Sequence, residues 1–86
     1  MAKQVRFSKH ASDQISARGT SQAEIRDAIL TSYWQTTKQP GRWECSREFA
    51  FNSTWNGAYY AMKKVRPIFV DDALEIVVVT VYVYYY

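Results

Sequence analysis

Apolar residues recur with period two at the start of this chain, then at helical spacing, then with period two again to its end. "QVRF" (Gln4 to Phe7) alternates polar and apolar and predicts a short strand. "SKHASDQISARG" follows and reads as a helix, with Ser8 able to cap its start and Gly19 able to end it in the left-handed conformation. "SQAE" (Ser21 to Glu24) fits a capping box in which Ser21 bonds the backbone of Glu24 and Glu24 reaches back to Ser21. Ile25, Ala28 and Ile29 then share one face of a second helix. Arg18-Gly19-Thr20 separates the two, which makes a helical hairpin.

The remaining chain predicts strands. "YWQTTKQ" (Tyr33 to Gln39) leads into the turn pair Pro40-Gly41. In "RWECSREFAFN" (Arg42 to Asn52) Trp43, Cys45, Phe49 and Phe51 fall on one parity, with Arg47 interrupting that side. "NSTWNG" supplies the next turn, Asn56-Gly57 being a strong hairpin signal. "AYYAMKKVRPIFV" (Ala58 to Val70) follows, and Pro67, which lacks an N–H, marks an edge position or a bulge. A two-residue Asp72-Ala73 turn would set Lys63 opposite Tyr82 and Arg66 opposite Val79, and a bulge at Pro67 would exchange the faces.

The chain ends in "EIVVVTVYVYYY" (Glu75 to Tyr86), which carries one charge and no Pro or Gly. A free strand of that kind aggregates, so it belongs inside a sheet, with "QVRF" as a partner for its free edge. Val77, Val79, Val81 and Val83 are expected to face the helices. Ile76, Val78, Thr80, Tyr82 and Tyr84 are then expected on the opposite, uncovered face. The order β-α-α-β-β-β-β gives an α+β domain with both helices on one face of an antiparallel sheet.

Composition narrows the choices. At 86 residues the chain makes one domain with one small core, and 16% aromatic content compensates for its size. A net charge of +3 and a pI of about 9.1 are compatible with a nucleic-acid partner without requiring one. Cys45 is the single cysteine, which excludes an intrachain disulfide and a cysteine-based zinc cluster and suits a small buried hydrophobe. "MAKQVRFSKH" has no apolar signal segment, and the apolar tail is too short to span a bilayer as a helix. A cytoplasmic protein without a membrane partner is expected. One histidine, one cysteine and scattered carboxylates make no metal-ligand spacing, and three glycines make no phosphate loop, so no cofactor is expected.

"FSKHASDQISARGTSQAEIRDAIL", followed by a sheet ending in "VVVTVYVYYY", resembles a family of small uncharacterised bacterial proteins, a domain of unknown function. "HA…ARG.S..EI" and the "VTVY" strand carry the likeness. That family is grouped with the RelE/ParE-like toxin superfamily. The resemblance implies one RelE/ParE-like domain over residues 1–86: two N-terminal helices packed on one face of a four-stranded antiparallel sheet, with a short N-terminal strand. It further implies descent from ribosome-dependent mRNA endonucleases or gyrase poisons of toxin–antitoxin systems.

Metal-independent cleavage of RNA needs cations at the scissile phosphate, a group to take the 2′-hydroxyl proton and a group to protonate the leaving oxygen. Lys63, Lys64 and Arg66 form the densest basic cluster and, with Tyr82 and the single histidine His10, are the catalytic candidates. His10, Ala11, Gln14, Ile15 and Arg18 share one stripe of the first helix, which brings Arg18 toward the sheet edge or an anion. Arg18, Arg47, Tyr84 and Trp55 are the binding candidates, the aromatics as a base-stacking platform interleaved with cations. Each has an ordinary structural reading too: His10 as a packed residue at the helix start, Arg18 as a tie on the helix end, the lysines as a solubilised strand edge. The expected partners are RNA or the ribosome and a cognate antitoxin-like protein. The alternative is a non-catalytic interaction module, a homodimer or cognate-partner binder using the tyrosine-rich face.

Overall fold

The computed structural model describes residues 3–86. Its elements run β1 (Gln4–Phe7), α1 (Lys9–Arg18), α2 (Gln22–Thr31), β2 (Gln35–Thr36), β3 (Trp43–Glu44), β4 (Arg47–Trp55), β5 (Ala58–Asp71) and β6 (Glu75–Tyr85). The fold is α+β, but the sheet is not four-stranded and antiparallel. It has six strands in the order β1-β6-β5-β3-β2, with β4 also on β5, and it is mixed because β1 runs parallel to β6. The expected pairing of the chain ends is present, with Val5 opposite Ile76 and Phe7 opposite Val78. The parallel pairing is open to β1 because the chain between Phe7 and Glu75 far exceeds the dozen or so residues that a parallel connection needs.

Local chemistry sets the helices. The Ser8 side chain accepts the Ala11 N–H and donates to the Val79 carbonyl at 3.2 Å, so one hydroxyl caps α1 and ties it to β6. Gly19, at φ 76°, ends α1. Ser21 caps α2 through the Glu24 N–H as expected. The Glu24 carboxylate does not reach back. It accepts from Thr20 and pairs with Lys63. The hairpin at Asn56-Gly57 has both residues at positive φ, 50° and 83°, as a tight type I′ turn requires.

The expected "YWQTTKQ" strand shrinks to Gln35–Thr36, and "RWECSREFAFN" breaks into β3 and β4 at Cys45-Ser46. The register against β5 carries across the break, Trp43 opposite Phe69 and Arg47 opposite Val65, and shifts by one residue only further along β4, between Ala50 and Ser53. The lapse falls opposite Pro67, whose carbonyl accepts from Cys45 at 3.4 Å and which has no N–H to return. Pro67 is therefore neither at a sheet edge nor itself bulged. It sits buried in the central strand and interrupts its neighbour.

The register of β5 and β6 also differs from expectation. Lys63 lies opposite Tyr85 and Arg66 opposite Tyr82. The turn is displaced by one residue, to Ala73-Leu74, and is closed by the Asp72 N–H on the Glu75 carbonyl. A further shift follows, since Ile68 faces Thr80 while Phe69 faces Val78, leaving Val79 as the extra residue. This bulge switches the parity of β6. Ile76 and Val78 are buried before it, where Val77 and Val79 were expected, whereas after it Val81 is buried and Val83 packs on the core as expected. Gln14 of α1 seals the site, its Oε1 accepting from the Thr80 hydroxyl at 2.8 Å and the Val81 N–H at 2.9 Å.

The core lies between the helices and one sheet face, built from Ala11, Ile25, Ala28, Ile29, Val65, Phe69, Val78 and Val81. Trp34 and Trp43 close one end, Trp34 meeting Phe69 edge-on at 4.8 Å. Among the described residues no helix is long and apolar enough to cross a membrane.

Candidate functional site

Strand β5 sorts the basic cluster by parity. Lys63, Val65, Pro67 and Phe69 point to the helices; Lys64, Arg66 and Ile68 point to the other face. The three cations expected to act together are thus on opposite sides of the sheet.

Lys63 is 7% exposed. Its Nζ donates to the Gly19 carbonyl at 3.0 Å and pairs with Glu24 at 2.8 Å. The Tyr85 hydroxyl donates to the Arg18 carbonyl at 2.7 Å. Cation and phenol together satisfy the end of α1, where the helix carries partial negative charge. Burial, and secondarily the charge of Glu24, holds the Tyr85 phenol above its ordinary pKa. Trp55 stacks on Tyr85 at 5.1 Å and lies against Gly19, so it belongs to this packed corner rather than to an open platform. Arg47 is turned to the helices as well, pairing with Asp27 at 3.1 Å and bonding Thr31. His10 is exposed on α1 and makes no side-chain hydrogen bond among the described residues. Four expected site residues, Lys63, Trp55, Arg47 and His10, therefore stand apart from the rest.

The others converge on the uncovered face. Arg66 pairs with Glu44 of β3 and donates to the Tyr84 hydroxyl at 3.2 Å. The Glu44 bond first, and Tyr84 second, raise the Arg66 guanidinium above its usual pKa. The Tyr82 ring receives two guanidinium groups, Arg66 at 5.5 Å and Arg18 at 5.1 Å. Arg18 reaches the ring from the last turn of α1, beside the part of β6 that β1 leaves uncovered. Lys64 lies half-buried on the same face, opposite Glu48 and Tyr84. Tyr84 is 43% exposed and Tyr86 52%. A hydrogen bond from Tyr86 to Glu48 raises its phenol pKa.

Beside this cluster the Thr36–Arg42 connection borders an open hollow of about 440 Å³ lined by Lys38, Arg42, Glu44, Arg66, Ile68 and Tyr82, among others. Sequence reasoning missed Glu44, Lys38 and Arg42. Period two does put Glu44 on the polar side of its strand, but only the pairing of β3 with β5 brings it to Arg66. The assembled groups are a carboxylate, a guanidinium and a phenol bonded in series. They can bind an anion, accept a proton at Glu44 and donate one at Tyr84.

The chain matches no protein-family model, and no curated protein or solved structure is significantly similar to it.

Proposed function

We propose that this is an RNA-binding domain of the RelE/ParE-like toxin lineage, acting on RNA at the ribosome through the uncovered sheet face. The observation that carries the reading is the Glu44–Arg66–Tyr84 series beside the Tyr82 ring and its two guanidinium groups. Arg66, Arg18 and Lys64 supply charge for the phosphates, and Tyr82 and Tyr84 supply rings for bases. Cleavage at this face proceeds by attack of the 2′-oxygen on phosphorus. Glu44 takes the hydroxyl proton, Arg66 stabilises the charge on the phosphoryl oxygens, and Tyr84 protonates the departing 5′-oxygen. The products are a 2′,3′-cyclic phosphate and a 5′-hydroxyl end. His10 and Lys63 have no part in this scheme.

The test is binding of single-stranded RNA across a salt series, and cleavage of mRNA with ribosomes present. Binding that weakens with salt, a shallower salt slope in Arg66→Ala, and cleavage lost in Glu44→Gln are expected. Absence of both binding and cleavage overturns the reading. The exposed Tyr84 and Tyr86 favour a second one, a protein-interaction module on the same face. A salt-insensitive dimer that shields these tyrosines supports that reading instead.

A further inference from the structure

We infer that the hollow bordered by the Thr36–Arg42 connection is a subsite for one phosphorylated nucleotide unit. As a site on an RNA surface it rests on the function proposed above, but its chemistry stands on its own observations. At about 440 Å³ the hollow lies within the range of small-ligand sites, roughly 300–1,000 Å³. Its wall is preformed. The Thr37 N–H bonds the Arg42 carbonyl at 3.2 Å, the Arg42 N–H bonds the Gln39 carbonyl at 3.3 Å, and the Thr37 hydroxyl both accepts from and donates to Gln39. Gly41, at φ 80°, permits the reversal.

The lining has two halves. Lys38, Arg42 and Arg66 set three cations against the single carboxylate of Glu44, which favours an anion. Lys38 and Arg42 make no salt bridge among the described residues, so their charge is available to a ligand. The sheet contributes Ile68 and the Tyr82 ring, a surface for a base or sugar. A bare anion would leave that apolar half unused, and a nucleoside would leave the cations unused. A nucleotide uses both.

Calorimetric titration of the intact protein with 5′-AMP at low salt tests this, with adenosine and inorganic phosphate as separate arms. Saturable binding of 5′-AMP is expected, with each fragment weaker by about tenfold or more, the effect of losing one charge-assisted contact. Arg42→Ala, on an exposed turn, is expected to weaken 5′-AMP by about tenfold with its thermal melt unchanged. No saturable binding, or binding indifferent to Arg42→Ala, overturns the subsite. Competition with single-stranded RNA separates the two ideas. RNA binding that 5′-AMP does not displace and Arg42→Ala does not weaken keeps the RNA reading and removes the subsite. Binding of 5′-AMP without any RNA binding does the reverse.

Discussion

Replacing Lys63 with methionine separates a structural lysine from a catalytic one. Met keeps most of the buried aliphatic stem and removes the charge. Three interactions disappear: the bond to the Gly19 carbonyl at 3.0 Å, the pair with Glu24 at 2.8 Å and the placement of the ammonium over the Phe51 ring at 5.5 Å. A hydrogen bond involving a charged group contributes roughly 1.5–3 kcal/mol, and orphaning a fully buried charge costs about 3–5 kcal/mol. Glu24 escapes the full penalty, because its side chain is 25% exposed and Thr20 still donates to it. The expected loss is therefore roughly 2–3 kcal/mol, a fall of about 10–20 °C in melting temperature for a domain of this size. Adding Glu24→Gln recovers about 1 kcal/mol, since the neutral amide no longer needs a cation. The assay is thermal and urea denaturation of the wild type, both single variants and the double variant, with RNA binding measured below every melt. Lys63→Met is expected to bind RNA as the wild type does. A variant that melts with the wild type but loses RNA binding or cleavage refutes the argument and returns Lys63 to the site.

Two further outcomes follow from the same geometry. Gly19→Ala forces an alanine to φ 76° and places its Cβ against the Tyr85 hydroxyl and within 2.8 and 2.9 Å of the Trp55 ring, so urea titration should show a loss of roughly 2–4 kcal/mol. Because Tyr85→Phe removes one of those obstacles, the double variant should lose less than the two singles together; strict additivity would mean that the corner does not pack as described. Burial, with a smaller contribution from Glu44, pushes the Cys45 thiol from 9.0 up to about 12. The fold therefore favours the protonated thiol, and its contribution is complete below the unfolded value and lost as pH rises between 9.0 and about 12. Urea midpoints of wild type and Cys45→Ala should converge across that window, and a constant gap would refute the assignment.

The local signals in this sequence were sufficient for the local structure. Ser8, Gly19 and Ser21 bracket two helices where their side chains or backbone freedom put them, and Asn56-Gly57 turns the β4–β5 hairpin, because each acts on groups within a few residues. The alternation in "QVRF" and the apolar terminal strand were enough to pair the chain ends. Of the candidate site, Arg66, Tyr82, Tyr84, Arg18 and Lys64 were legible as an aromatic and basic set, and they do share the uncovered face. Tertiary structure decided the rest. A side chain's face follows its strand's register, and one extra residue reverses it, so the bulge at Val79 puts Ile76 and Val78 inward in place of Val77 and Val79, while Val81 and Val83 keep the expected side. Lys63 and Lys64 are neighbours in sequence, yet period two sends one to the end of α1 and the other to the open face. Glu44 meets Arg66, and Lys38 and Arg42 overlook Tyr82, only because strands far apart in sequence lie side by side in the sheet.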